Sequence, residues 1–131
     1  MEVHIGLLFF KSFPSVCRTS FYAKKTNSYL LIYSKAEWDA ASQSEQLVVL
    51  DCYATWCGPC RLIAPKVEAF SQDYPDVKFY KLDVDEVADA AGDLGVRAMP
   101  TFFLFRKGEK IGEVVGANPA ALKSAIEKNK N

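Results

Sequence analysis

The segment Leu47-Val48-Val49-Leu50-Asp51-Cys52-Tyr53-Ala54-Thr55-Trp56-Cys57-Gly58-Pro59-Cys60 decides the reading of this chain. Leu47 to Ala54 is a continuous apolar run broken only by Asp51, the pattern of a central strand buried on both faces. From Cys57 the pattern changes to helical spacing, with Leu62, Ile63, Val67, Phe70 and Tyr74 as the apolar positions through about Tyr74. Pro65 lies inside that stretch and is expected to kink it. A buried strand feeding a helix that opens on two cysteines is the centre from which the rest is read.

Upstream, Tyr29 to Tyr33 reads as a short first strand. Ser34 can cap a helix through Ser42, with Glu37 three positions on as a capping box requires. Downstream, Val77 to Val84 reads as a strand, and Asp85 to Leu94 as a helix that Gly95 is placed to end. Thr101 to Phe105 and Lys110 to Gly116 read as strands joined at Lys107-Gly108, a hairpin. Pro119 to Lys128 reads as a final amphipathic helix with proline in its first turn. Alternating strands and helices predict a mostly parallel sheet, with the hairpin adding an antiparallel edge and helices on both faces.

The chain has 131 residues, half of them apolar and about a quarter charged, which fits one compact domain plus a short extension. Net charge is zero, so no global field favours nucleic acid or an anionic membrane. The charge is unevenly placed. Residues 1–34 hold Lys11, Arg18, Lys24 and Lys25 against Glu2, and the remainder is mildly acidic. The first part, 1–28, reads as an N-terminal extension rich in Phe, Ser, Lys and Tyr. It is comparable to a mitochondrial presequence, with a disordered tail or a misplaced start codon as the alternatives. Residues 29–131 form the expected domain. No apolar run approaches the ~18 residues that span a bilayer. Four cysteines with one tight pair, in a chain with enough apolar residues for a core, suggest an intracellular, reducing setting.

Cys57 and Cys60 carry the chemistry. Positions i and i+3 share a helix face, ~5–6 Å apart at Cβ, and a disulfide wants a similar approach. The first cysteine stands where unpaired N–H groups and the helix dipole stabilise a negative sulfur. Pro59 falls where its missing N–H costs nothing. A zinc site would need further ligands, but there is no second Cys-x-x-Cys and His4 is the only histidine. A haem attachment site would need His where Arg61 stands. A structural disulfide remains an alternative to the redox pair.

Asp51 is the second unusual residue. A carboxylate in a buried strand is costly unless paired or protonated, and burial raises its pKa.

Trp56-Cys57-Gly58-Pro59-Cys60, Ala64-Pro65-Lys66, Phe79-Tyr80-Lys81-Leu82-Asp83-Val84-Asp85, Ala98-Met99-Pro100-Thr101 and Val114-Val115-Gly116-Ala117-Asn118-Pro119 resemble the landmarks of the thioredoxins, the last in its fungal form. The resemblance covers about residues 30 to 131, in order and without large gaps. It implies the thioredoxin fold, an α/β fold with a central mixed five-stranded sheet flanked by four helices. It implies a protein-disulfide reductase in cell redox homeostasis, with Cys57 as exposed nucleophile, Cys60 as resolving thiol and a Cys57–Cys60 disulfide as product.

The resemblance carries further roles. Asp51 would aid proton transfer for Cys60, with Lys81 as the neighbour that tunes it. Pro100 would follow a cis bond that exposes the backbone of Met99 to an extended substrate. Trp56, Gly58, Pro59, Met99, Pro100, Val115, Gly116 and Ala117 would form an apolar docking surface. No metal or bound cofactor is implied. Electrons would come from NADPH through a flavin-containing thioredoxin reductase. Disulfide-bearing proteins such as peroxiredoxin, methionine sulfoxide reductase and ribonucleotide reductase would accept them. The expected protein is a monomer, without nucleic acid or membrane partners, in the cytoplasm or, if 1–30 is a presequence, the mitochondrion.

Alternatives are a disulfide oxidase or isomerase, and a redox-dependent binding subunit. Gly58-Pro59 argues against the former, since it adds no positive charge to over-stabilise the thiolate. Cys52 stands where an aromatic is common and reads as a buried small hydrophobe, with a regulatory thiol as the alternative. Cys17 has no counterpart.

Overall fold

The computed structural model describes residues 29–131. The expectations for 1–28, Cys17 included, lie outside the described residues. The element order is β1 (Tyr29–Ile32), α1 (Lys35–Ala41), β2 (Val48–Tyr53), α2 (Gly58–Asp73), β3 (Lys78–Asp83), α3 (Ala88–Leu94), β4 (Thr101–Arg106), β5 (Glu109–Val115) and α4 (Pro119–Asn129). They build a five-stranded sheet in the order β1-β3-β2-β4-β5.

β2 lies at the centre of the sheet and pairs on both edges. It lies parallel to β3, with Asp51 opposite Lys81, and antiparallel to β4, with Cys52 opposite Thr101. The expected mostly parallel sheet is therefore corrected. β1–β3 and β3–β2 are parallel, but β2–β4 and β4–β5 are antiparallel. β4 starts at the end of the sheet where β2 and β3 finish, with Thr101 opposite Cys52. That places Met99 and Pro100 beside the start of α2.

Alternation along β2 sends side chains to two cores. Val48, Leu50 and Cys52 pack with Trp38 of α1, Ala90 and Ala91 of α3, and Phe103 and Phe105 of β4. Trp38 meets Phe105 edge-on, centroids 5.0 Å apart. On the other face Leu47 and Val49 pack with Ile63, Val67 and Phe70 of α2 and Leu122 and Ile126 of α4. Each Leu or Ile fully withdrawn from water contributes roughly 1.5–3 kcal/mol.

Local signals set the element ends. Ser34 Oγ accepts from the Glu37 N–H at 3.2 Å, and the Glu37 carboxylate accepts from the N–H of Tyr33, one residue earlier than a strict capping box. Asn118 caps α4 through the Ala121 N–H. Lys107 and Gly108 both have positive φ, 54° and 80°, the turn that matches strand twist in a two-residue hairpin. Gly95 ends α3 in the left-handed region.

Two further expectations are revised. Leu62 is not part of the apolar stripe: it is 82% exposed, one residue and about 100° round the helix from Ile63, which is buried with Val67 and Phe70. α3 begins at Ala88 rather than Asp85, because Asp83 organises a turn first. Its carbonyl accepts from the N–H groups of Glu86 and Val87, and its carboxylate from that of Asp85. α2 runs unbroken from Gly58 to Asp73 through Pro65.

Candidate active site

β2 ends at Tyr53, and a tight turn with Cys57 N–H donating to Ala54 O at 3.2 Å delivers the chain to the start of α2. Cys57 occupies the cap position in extended backbone conformation. Its Sγ accepts from the Cys60 backbone N–H at 3.1 Å. Cys57 and Cys60 are joined as a disulfide, with Cα atoms 5.3 Å apart. A helix start supplies free N–H groups and the positive end of the dipole, so a thiolate formed at Cys57 is stabilised where it forms.

The exposure expected of Cys57 is corrected. In the bridged state Cys57 is 4% and Cys60 6% accessible. Cys57 and Cys60 form a buried cluster with Ala54, against which Tyr53, Val84 and Met99 pack. Accessibility does not tell the two cysteines apart. The helix cap does, because only Cys57 carries a sulfur that accepts a first-turn N–H.

Around the pair the structure gathers residues from three loops. Trp56 is exposed, and its indole N–H reaches Asp85 Oδ2 at 2.9 Å. Gly58 and Pro59 follow in the first turn. The Met99–Pro100 bond is cis. Met99 packs on the cysteine cluster, while Pro100 itself is buried. The Gly116 N–H donates to Pro100 O at 2.8 Å, and Val115 faces Thr101 across the β4–β5 ladder. Val115 and Ala117 are exposed. The expected docking residues thus form one neighbourhood, with Pro100 beneath it.

Asp51 is 4% exposed on the α2–α4 face of the sheet. One carboxylate oxygen, Oδ2, accepts from the Tyr29 hydroxyl. The other, Oδ1, has no hydrogen-bond partner among the described residues. Burial pushes its pKa up to about 6, and the Tyr29 hydrogen bond and the Lys81 charge hold it from rising further. Lys81 stands opposite Asp51 in the register, with its ammonium 4.9 Å from the centre of the Tyr29 ring. A cleft of about 280 Å³ joins these groups to Cys60, with Tyr29, Asp51, Cys60, Arg61 and Lys81 on its walls.

Sequence reasoning did not single out Tyr29, which it placed only as the opening of β1. Cys52 is buried beside Asp51, and burial pushes its thiol pKa well up. Among the described residues no cluster of three His, Cys, Asp or Glu could hold a metal ion. No helix there is long and apolar enough to cross a membrane.

Residues 29–128 match the thioredoxin family model. The chain belongs to the thioredoxin family. It is 56% identical over 94 residues to Thioredoxin-1 of Saccharomyces cerevisiae, a match spanning 72% of this chain and 91% of that relative. The mitochondrial Thioredoxin-3 of the same yeast is 51% identical over 85 residues, 65% of this chain and 66% of its own. The crystal structure of Malassezia sympodialis thioredoxin superposes with a TM-score of 0.76 at 42% identity, covering 79% of this chain and 92% of that one. The mixed five-stranded sheet with four helices is the thioredoxin fold. With the close cysteine pair, family membership makes this thioredoxin-family chain a thiol–disulfide oxidoreductase with protein-disulfide reductase activity. Its substrates are disulfide-bearing proteins, and a reductase restores the dithiol.

Proposed function

We propose that Cys57 is the nucleophile and Cys60 the resolving thiol of this reductase. The observation that carries the assignment is the bond from the Cys60 N–H to Cys57 Sγ at the head of α2. The Cys57 thiolate attacks a substrate disulfide, forms a mixed disulfide and releases one substrate thiolate. Cys60 gives up its proton and attacks Cys57 Sγ. The Cys57–Cys60 bridge closes and the second substrate sulfur leaves reduced. Asp51, across the cleft from Cys60, takes that proton, and Lys81 tunes its readiness to do so through its charge.

Docking falls to Trp56, Gly58, Pro59, Met99, Val115, Gly116 and Ala117, with Pro100 as the buried support of the Met99 loop. Electrons reach the bridge from NADPH through a flavin-containing thioredoxin reductase. Peroxiredoxins, methionine sulfoxide reductases and ribonucleotide reductase are the proposed acceptors. Residues 29–131 act as the catalytic unit and 1–28 as an extension. If that extension is a presequence, the protein works in the mitochondrion, as the name of one relative states for that relative, and otherwise in the cytoplasm.

Repeated reduction of insulin disulfides with reductase and NADPH tests the reading. Cys57→Ser abolishes turnover. Cys60→Ser accumulates mixed disulfides visible by non-reducing electrophoresis. Undiminished turnover by the Cys60→Ser variant would reject the two-cysteine assignment.

A further inference from the structure

The interior of the site holds one polar contact that the reaction as described does not use. The Tyr29 hydroxyl donates to Asp51 Oδ2 from the first residue of β1, two strands away from β2. Tyr29 shares the α2–α4 face with Asp51, and its ring forms a wall of the same cleft as Asp51 and Cys60. The Lys81 ammonium sits over that ring, so the phenol is clamped between an acceptor and a cation.

We propose that Tyr29 is a positioning residue for the resolving step: its phenol holds one oxygen of Asp51 and leaves the other, Oδ1, to receive the Cys60 proton. The proposal rests on the reading of Asp51 as that proton acceptor. In the step, the proton of the Cys60 thiol passes to Asp51. The Cys60 electron pair forms the bond to Cys57 Sγ, and the Cys57–substrate bond breaks with its pair leaving on the substrate sulfur. The two cysteines are oxidised and the substrate reduced.

Three observations support it. Asp51 has a single hydrogen-bond partner among the described residues, so its orientation depends on Tyr29. Burial and the adjacent carboxylate push the Tyr29 phenol far above its ordinary pKa, which keeps it an O–H donor throughout the working range. A hydrogen bond to a carboxylate favours its charged form, the form needed to accept a proton. The other groups facing this pair are Lys81 from β3, Cys60, Arg61 and Glu68 from α2, and Tyr53 on β2 itself, while Cys52 lies on the opposite face of β2. Of these, Lys81 bears on Asp51 by charge, and Glu68 on Tyr29.

The test uses the full chain. The Asp51 carboxyl carbon is titrated by NMR in the reduced protein. The second, intramolecular release of thionitrobenzoate from Ellman's reagent is followed by stopped flow across pH. Tyr29→Phe is expected to move both the titration midpoint and the acid limb of the rate profile to higher pH by about half a pH unit or more. Site-specific 3-fluorotyrosine at position 29, a stronger donor, is expected to move both the other way. In an Asp51→Asn background Tyr29→Phe is expected to add no further pH effect. A folded Tyr29→Phe protein with an unmoved Asp51 midpoint overturns the proposal. Should that variant not fold, an unmoved midpoint with fluorotyrosine overturns it instead. If Asp51→Asn leaves the rate profile unchanged, the Asp51 reading itself falls and the proposal falls with it. If only the Tyr29 variants are silent, the Asp51 reading stands alone.

Discussion

The Trp56 indole N–H donates to Asp85 Oδ2 at 2.9 Å, fastening the exposed ring beside Cys57 to the loop that follows β3. The bond is solvent-exposed, and a net contribution of about 0.5–1.5 kcal/mol is expected for it. On the docking role proposed for Trp56, its larger effect is on recognition, because it holds a wide apolar surface in one orientation before a partner arrives. Asp85→Ala should change folding stability by no more than about 1.5 kcal/mol while raising KM for the reductase several-fold. Denaturant melts and reductase kinetics on the same preparation check both halves. An unchanged KM would remove Asp85 from the account of docking.

Asp51 should lower stability at neutral pH. Its folded pKa of about 6 lies above the ordinary carboxyl value of 3.8, so the folded chain binds more protons than the unfolded one between those values. Stability attached to this group is therefore full below about pH 4 and lost as pH rises through about 6. Asp51→Asn keeps an oxygen that can accept from Tyr29 and removes the buried charge. It should be more stable than the parent by about 2–3 kcal/mol at pH 8, with the gap closing near pH 4. Denaturant unfolding with the disulfide intact at both pH values provides the comparison. Equal stabilities at pH 8 would contradict a strongly desolvated carboxylate.

Substitution at Val115 tests the proposed docking surface apart from the chemistry. It is exposed at the end of β5, beside the loop whose Gly116 N–H binds Pro100 O, and none of its atoms reacts. Val115→Glu places a charge on the proposed apolar docking surface, where desolvating it opposes association. The kcat/KM for insulin should fall about tenfold or more, which corresponds to about 1.4 kcal/mol. The rate with a small disulfide such as Ellman's reagent should stay near that of the parent. A parallel loss with both substrates would mean that the substitution damaged the active pair.

Cys52 should be chemically silent. It is fully buried on the α1–α3 face of β2, and burial with the nearby Asp51 charge pushes its thiol well above the ordinary range. Under native conditions iodoacetamide should label the reduced protein at Cys57 and leave Cys52 unmodified until the chain is denatured, as peptide mass mapping would reveal. Native labelling of Cys52 would revive the regulatory reading. Cys52→Ala removes only a small buried side chain and should cost about 1 kcal/mol without altering turnover.

Much of the site was legible because its physics is local. Cys57, Pro59 and Cys60 lie within one turn of helix, so residue identity and spacing already settle which groups share a face and which N–H groups are free. The apolar run of β2, the Ser34 and Asn118 caps and the Lys107-Gly108 turn are decided within a few residues of themselves for the same reason. Leu62 shows the limit of that approach. Its apolar character suggested burial, but only the face that α2 presents to the sheet could assign it to solvent.

What the tertiary structure alone decided involves partners distant in sequence. The direction of β4 is fixed only when the sheet assembles, and its antiparallel pairing against β2 brings Met99 to the cysteines. Asp51 announces itself as a charge in a strand, yet its partner Tyr29 is 22 residues earlier and two strands away. No periodicity or motif links them. The bond exists because β3 inserts between β1 and β2 in a register that puts both side chains on one face. A hydrogen bond between non-neighbours is set by packing geometry, and that geometry is complete only when the sheet is assembled.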